Sequence, residues 1–561
     1  MQRCGPGNRT GSPRRPIPTC RQPRVSGHAR TRETPRRGHL RVSARLRSVR
    51  WPCSTAPRTW PSAKDLFGPA GTPKVVVVGA GIGGIAVGVK LQRAGIHTFT
   101  IYESSPGIGG TWWDNTYPGA EVDVPSNLYR YSFKPYDWTR THARQPELQS
   151  YLEETVDDFG LRPHLQLGVT VLSATWDDDR HVWAVKLDSS SVIECHVVIS
   201  AVGFLNVPRY PDWPGLDDFE GPKFHTSRWE HRHDLSDRVV AVVGTGSTAT
   251  QVVPAIQPTV GRLFLFQREP GWVIPKGERE LTDVERHRLA QPWRRALDRA
   301  ALRWTLEKGL IGAATFRPGT ELHRRRQQTC LDYIAREFAD HPDLEKAVTP
   351  TYPYPGKRPV IASTFYPSLK EANVELVSKA VSRVTSSGIV DADGVERAVD
   401  VIVMATGFQA ANYLARIEVT GRRGLTLQEH WAGEPRAYLG ITVPGFPNFF
   451  MVYGPGTNGG ELVSMLEAQA DYSVRALKRM RRRRVSAVEV KPVFETLWFV
   501  WLQGRMQGTS WTMTNNYFRS ATGKIVTQWP SGNMVFRVLT KVLGGVYEAT
   551  GRRDMRPSWA P

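Results

Sequence analysis

Two sets of small residues at fixed gaps, each closed by a charged residue, are the features of this 561-residue sequence best suited to chemistry. In the first, four consecutive valines run into Gly79, Gly81 and Gly84, and 24 positions beyond Gly79 stands Glu103. In the second, VVAVV runs into Gly244, Gly246, Ser247 and Ala249, and 24 positions beyond Gly244 stands Arg268. Glycines so spaced let the backbone approach a pyrophosphate, whose charge the N-terminus of the following helix favours. A carboxylate at the next strand tip accepts hydrogen bonds from ribose hydroxyls and repels a 2′-phosphate. A guanidinium there grips that phosphate through a planar fork. The pair therefore predicts two unlike adenine nucleotides, FAD or NAD at Glu103 and NADP at Arg268.

The elements that must position these residues are strand–turn–helix–strand units. Apolar runs such as VVVV predict parallel strands covered on both faces. The fold class expected is α/β, with two Rossmann-like dinucleotide-binding domains. The first is expected over residues 72–205 and 410–545, the second over 206–409, with a helical insert at 277–348. Charge runs in that insert, such as HRLAQPWRRALDRAALRW, read as solvated helix faces. Residues 1–70 read as a disordered Arg/Pro-rich tail and 546–561 as a C-terminal tail.

Residues 1–60 hold 15 Arg, no Lys and one acid, Glu33, so they carry +14 of the formal +21. The charge is largely a tail, which argues against a nucleic-acid partner. There is no apolar run long enough for a transmembrane segment and no apolar signal region. The five cysteines show no CxxC spacing, which disfavours a disulfide reductase and fits free thiols in a reducing, cytoplasmic setting. Glu230, His231, His233 and Asp234 crowd together without the spacing of a metal site, so no metal is expected.

Between and beyond the turns lie further spaced sets. Phe219, Gly221, His225 and Trp229 follow the pattern FxGxxxHxxxW, and Gly110, Thr111, Trp112, Tyr117, Pro118, Gly119 and Asp123 follow GxWxxxxYPGxxxD. Both resemble the fingerprints of the type I Baeyer–Villiger monooxygenases. Lys357-Arg358, ATGF at 405–408, GPGTN at 454–458 and Ser510-Trp511 are similar to further segments of that family, and the likeness spans about residues 72–545.

The resemblance implies a FAD- and NADPH-dependent enzyme that uses O2 and inserts one oxygen atom beside a ketone carbonyl through a flavin C4a-peroxide, giving an ester or lactone. An N- or S-oxygenating monooxygenase of the same class, acting on an amine or sulfide, is the alternative. It further implies that FAD occupies the first turn and lies along the loop bearing Trp112 and Tyr117. Lys357 would assist Arg268 at the 2′-phosphate, Trp511 would close over NADP, and Arg358, paired with Asp123, would stabilise the peroxide anion. His225 reads as a packing or hinge residue. The sequence departs from the family at Glu230, at Ala362 and at Glu269, which is expected to point to solvent.

Overall fold

The computed structural model describes residues 72–308, 310–483 and 485–549. The expected tail at 1–70 lies outside the described residues. In chain order, the elements that build the site begin with β1 (Val75–Val78), α1 (Ile82–Arg93), β2 (Phe99–Glu103), β3 (Leu165–Leu167) and β4 (Val197–Ser200). A second group follows: β5 (Lys223–His225), β6 (Val239–Val243), α2 (Ala249–Ile256), β7 (Arg262–Phe266), α3 (Pro292–Lys308), α4 (Glu321–Glu337), β8 (Val374–Val377) and β9 (Val401–Met404). The chain then adds β10 (Phe449–Met451), α5 (Leu462–Arg483), α6 (Pro492–Met506) and α7 (Asn533–Val542).

Two five-stranded sheets result, ordered β3-β2-β1-β4-β10 and β8-β7-β6-β9-β5, with parallel neighbours throughout. The orders match position by position as far as the fourth strand. In each sheet the succession reverses direction, at β1/β4 and at β6/β9, the crevice where open α/β sheets bind ligands. All four residues of β1, β4 and β9 are buried, as the apolar runs predict.

The repeat extends to a feature the apolar pattern does not announce. Between β3 and β4 lies an antiparallel meander, Val171–Asp177, Val182–Leu187 and Val192–Cys195. Between β8 and β9 lies another, Val381–Val384, Gly388–Asp391 and Glu396–Ala398. Tyr547–Ala549, expected to belong to a tail, instead pairs with Val488–Val490.

Residues 277–348 are helical, with Asp283–Ala290 and Pro342–Val348 flanking α3 and α4. Here one expectation fails. Arg299 and Arg303 of α3 do not belong to a solvated face. Arg299 is buried and donates to the Arg130 carbonyl and to Glu461, and Arg303 grips both carboxylate oxygens of Glu461 at 2.7 and 2.8 Å. Glu461 is itself buried, and a carboxylate taken out of water needs such partners.

Candidate active site

The two glycine turns are built alike and face one cavity. Gly79 has φ +101°, and a Cβ there would lie 2.8 Å from the Ala201 carbonyl oxygen just past β4. Gly244 has φ +119°, and its Cβ would lie 2.5 Å from the Ala405 carbonyl oxygen just past β9. Both conformations and both approaches exclude a side chain. A Cβ on Gly84 would meet the Gly79 carbonyl oxygen at 1.8 Å, so this glycine lets α1 close onto its strand. Gly246 has nothing within 4 Å of a Cβ position, leaving its backbone open to an incoming group.

The cavity measures about 1510 Å³ and is bordered by Gly79, Gly81 and Glu103 from the first unit and Gly246, Ser247 and Arg268 from the second. That volume exceeds the range of about 300–1,000 Å³ usual for one small ligand. Gly84, Gly244 and Ala249 are absent from its wall and act through packing. Glu103 is buried at the tip of β2, where it accepts hydrogen bonds from the Ala80 and Ser105 amides at 2.7 and 2.8 Å. Arg268 is exposed at the rim of the second turn.

The loop after β2 closes the first turn and reaches the second. Gly110 lies against Gly81, and Gly81 bridges Gly109. Thr111 borders the cavity, as does Trp112, which is buried and donates from Nε1 to the Tyr129 hydroxyl at 3.2 Å. Tyr117 donates to Gln251 Oε1 on α2 at 2.9 Å, and Gln251 donates back to the Glu121 carbonyl at 3.0 Å. Gly119 packs on the Gln251 carbonyl, where a Cβ would sit at 2.4 Å.

Facing this loop is the centre of the site. Arg358 donates from Nη2 to Asp123 Oδ2 at 2.6 Å across 235 positions of sequence. The guanidinium lies among protein groups, and the Arg358 side chain, 41% exposed, lines the cavity. Burial disfavours its charge, but the Asp123 carboxylate outweighs that, and its pKa is raised. Burial also raises the pKa values of Tyr117, Tyr453 and Tyr517, and pushes Tyr129 up to about 12. All four phenols are therefore neutral at working pH.

A family model described as pyridine nucleotide-disulphide oxidoreductase matches residues 76–272. A Baeyer-Villiger monooxygenase of Pseudomonas aeruginosa is 36% identical over 475 residues, 83% of this chain and 89% of the relative. One of Streptomyces coelicolor is 38% identical over 480 residues, 83% and 91% respectively. This chain belongs to the Baeyer–Villiger monooxygenase family. The solved structure of cyclohexanone monooxygenase from Rhodococcus sp. Phi1, bound to NADP+, superposes with a TM-score of 0.77 at 30% identity, covering 86% of this chain and all of that one.

Within this member of the family, the FxGxxxHxxxW set lies away from the cavity wall. Phe219 is buried among Trp213 and Leu216, and Gly221 packs against the Asp400 carbonyl, where a Cβ would stand at 2.3 Å. His225 accepts from the Ser227 amide at Nδ1, so its Nε2 donates to the Gly407 carbonyl of ATGF at 3.0 Å. Burial lowers its pKa to about 4, keeping it neutral. Trp229 meets Phe224 edge to face at 5.0 Å. The set secures β5 beside β9 and the chain crossing at Gly407.

Glu269 is exposed, and the sequence did not reveal its partner. It forms an ion pair with Lys357 at the cavity edge, beside Arg268. Trp511 is buried, meets the Phe316 ring at a tilt of 30° with centroids 4.2 Å apart, and borders the cavity. Its segment is docked, with Ser510 donating to the Tyr354 carbonyl at 2.6 Å and Asn516 to the Gly356 carbonyl at 2.9 Å. Among the described residues no group of His, Cys, Asp and Glu could hold a metal.

Gln251 and the Lys276–Glu121 pair were not visible in the spacing. Lys276 Nζ, with no exposed side-chain surface, lies 2.7 Å from Glu121 Oε1. Beside them, burial and the Lys276 charge lower the His142 pKa to about 4.

Proposed function

We propose that this chain binds FAD at the Gly79 turn and NADPH at the Gly244 turn, and that it inserts one atom of O2 beside a ketone carbonyl. The balanced conversion is ketone, O2, NADPH and H+ to ester or lactone, water and NADP+. The observation that carries this reading is the Arg358–Asp123 pair set in the cavity between two nucleotide turns of unlike tip charge.

The first turn suits a flavin dinucleotide because its wall is bare backbone wherever a pyrophosphate must approach. A Cβ on Gly110 would stand 3.0 Å from Gly81, filling the cradle between them. Glu103 would accept from the adenosine ribose, and Trp112, Tyr117 and Tyr129 would frame the ring and exclude water. At the second turn, Arg268 and Lys357 would hold the 2′-phosphate, with the Ser247 region against the diphosphate. Trp511 and Phe316 would shield this end from solvent.

Bound FAD supplies hydride acceptance and the activation of O2. The protein's own part is electrostatic. Arg358 is a permanent cation that Asp123 holds in one orientation, so negative charge on the attacking oxygen is favoured without reorganisation. An arginine keeps its proton at working pH, which suits attack on a ketone carbonyl better than electrophilic transfer to an amine or sulfide.

The test is oxidation of NADPH against NADH, with a ketone panel and with a sulfide and an amine, products identified by mass. Ester or lactone formed from a ketone with NADPH supports the proposal. N- or S-oxides with no ester from any ketone would overturn it.

A further inference from the structure

Three helices of this molecule are turned inside out. On α3, Asp298 accepts from Asn127 at 2.6 Å, Arg299 and Arg303 converge on Glu461, and Glu307 accepts from the Asn533 and Met534 amides at 2.7 and 3.2 Å. These acids and arginines face the protein. What α3 turns outward is Trp293, Leu297 and Trp304, the last 65% exposed. Helix α6 repeats the arrangement. Its acid, Glu495, is buried against His430 and Arg436, while Val493, Leu497, Val500 and Trp501 are exposed at helical spacing. Helix α7 contains no acid, and its outward positions are Met534, Val535, Val538 and Val542, the last 71% exposed.

These faces belong to neighbouring helices. Glu307 of α3 caps the N-terminus of α7, and Trp529, whose Nε1 donates to the Gly532 carbonyl there, stacks on Trp498 of α6 at 6.0 Å and meets Phe536 of α7 at 5.3 Å. Apolar surface of this extent, grouped on adjacent helices, marks an interaction site. Charge narrows the partner. Every acid on the three helices is turned inward and paired, whereas Lys308 on α3 and Lys541 on α7 are exposed. Two copies meeting through this face would bring cationic rims together.

We propose that α3, α6 and α7 form a docking face for an anionic lipid surface, their apolar stripes entering the headgroup–acyl boundary and Lys308 and Lys541 meeting the headgroups. Helices with an apolar face and a cationic margin lie in that interface, and tryptophan favours the same depth. No helix among the described residues is long and apolar enough to cross a membrane, so the contact is peripheral. The opposite side of α3 lines the cavity with Leu302 and Leu306, so docking would set one cavity wall beside the lipid.

The experiment is co-sedimentation of the full chain with vesicles of phosphatidylcholine alone or of equimolar phosphatidylcholine and phosphatidylglycerol, at low and high salt. Partitioning should favour the anionic vesicles by about tenfold or more and weaken with salt. The triple variant Leu497→Glu, Val500→Glu, Val538→Glu alters only outward positions and should abolish partitioning while its melting midpoint stays near wild type. Lys308→Glu with Lys541→Glu leaves the stripes intact and should remove the anionic preference, which tests the claim even if the triple variant misfolds. Wild type that sediments with neither vesicle, variants that sediment like wild type, or a dimer in light scattering that the triple variant dissociates would each overturn the proposal. The readout is binding, so it stands or falls separately from turnover.

Discussion

In the proposed binding mode the NADPH 2′-phosphate meets Arg268 and Lys357 beside the Glu269 carboxylate, and Glu269→Gln should tighten NADPH selectively. The side chains of Glu269 and Lys357 are 40% and 25% exposed, so their pairing belongs to the solvent-screened class worth about 0.2–1 kcal/mol. Releasing Lys357 and removing a like charge from beside the phosphate together favour NADPH by about 1 kcal/mol, or about fivefold in KM. NADH has no 2′-phosphate, so its KM should stay within about twofold. The assay is steady-state cofactor oxidation with saturating ketone at low and high ionic strength. Salt should shrink the gain. Equal improvement for both nucleotides, or none for NADPH, would refute the reasoning.

Further outcomes follow from buried groups. His142, His196 and His225 are buried, and burial, aided at His142 by Lys276 and at His196 by Lys74, lowers each pKa to about 4. The unfolded chain binds these protons near pH 6.5 and the folded chain near 4, so stability is full above about 6.5 and falls as pH drops through that window. The slope should reach about 1.4 kcal/mol per pH unit per histidine, and His225→Gln should reduce it in a pH series of melting curves. Lys276→Met strands Glu121 and should destabilise by about 3–5 kcal/mol in a denaturant titration, while removing both charges should restore much of the loss. Gly84→Ala forces a Cβ into the Gly79 carbonyl oxygen and should lose flavin binding, read as loss of visible absorbance in the purified protein.

The two parallel sheets were legible because valine runs leading into glycine turns leave few other solutions, and the matched 24-residue spacing identified their closing residues. The meanders were not, because strands of three to seven residues with mixed burial carry little period of their own. The orientation of α3 was misread for a physical reason. A run of arginines reads as water-facing unless its buried partner is known, and Glu461 lies 162 positions from Arg299. The Glu269 ion pair was hidden similarly, since its partner Lys357 is 88 positions away. The Arg358–Asp123 pair was accessible only through the family likeness, as neither residue carries a local sign of the other across 235 positions.

The central claim is that the Arg358 cation, oriented by Asp123, favours charge on the attacking oxygen. Ester formation from a ketone by Arg358→Ala, measured against NADPH consumption in protein that retains its flavin, tests it most directly. Product formation should fall about 10²–10³-fold, as on removing one preorganised donor, while NADPH is still consumed. Wild-type ester yield from Arg358→Ala would contradict the account.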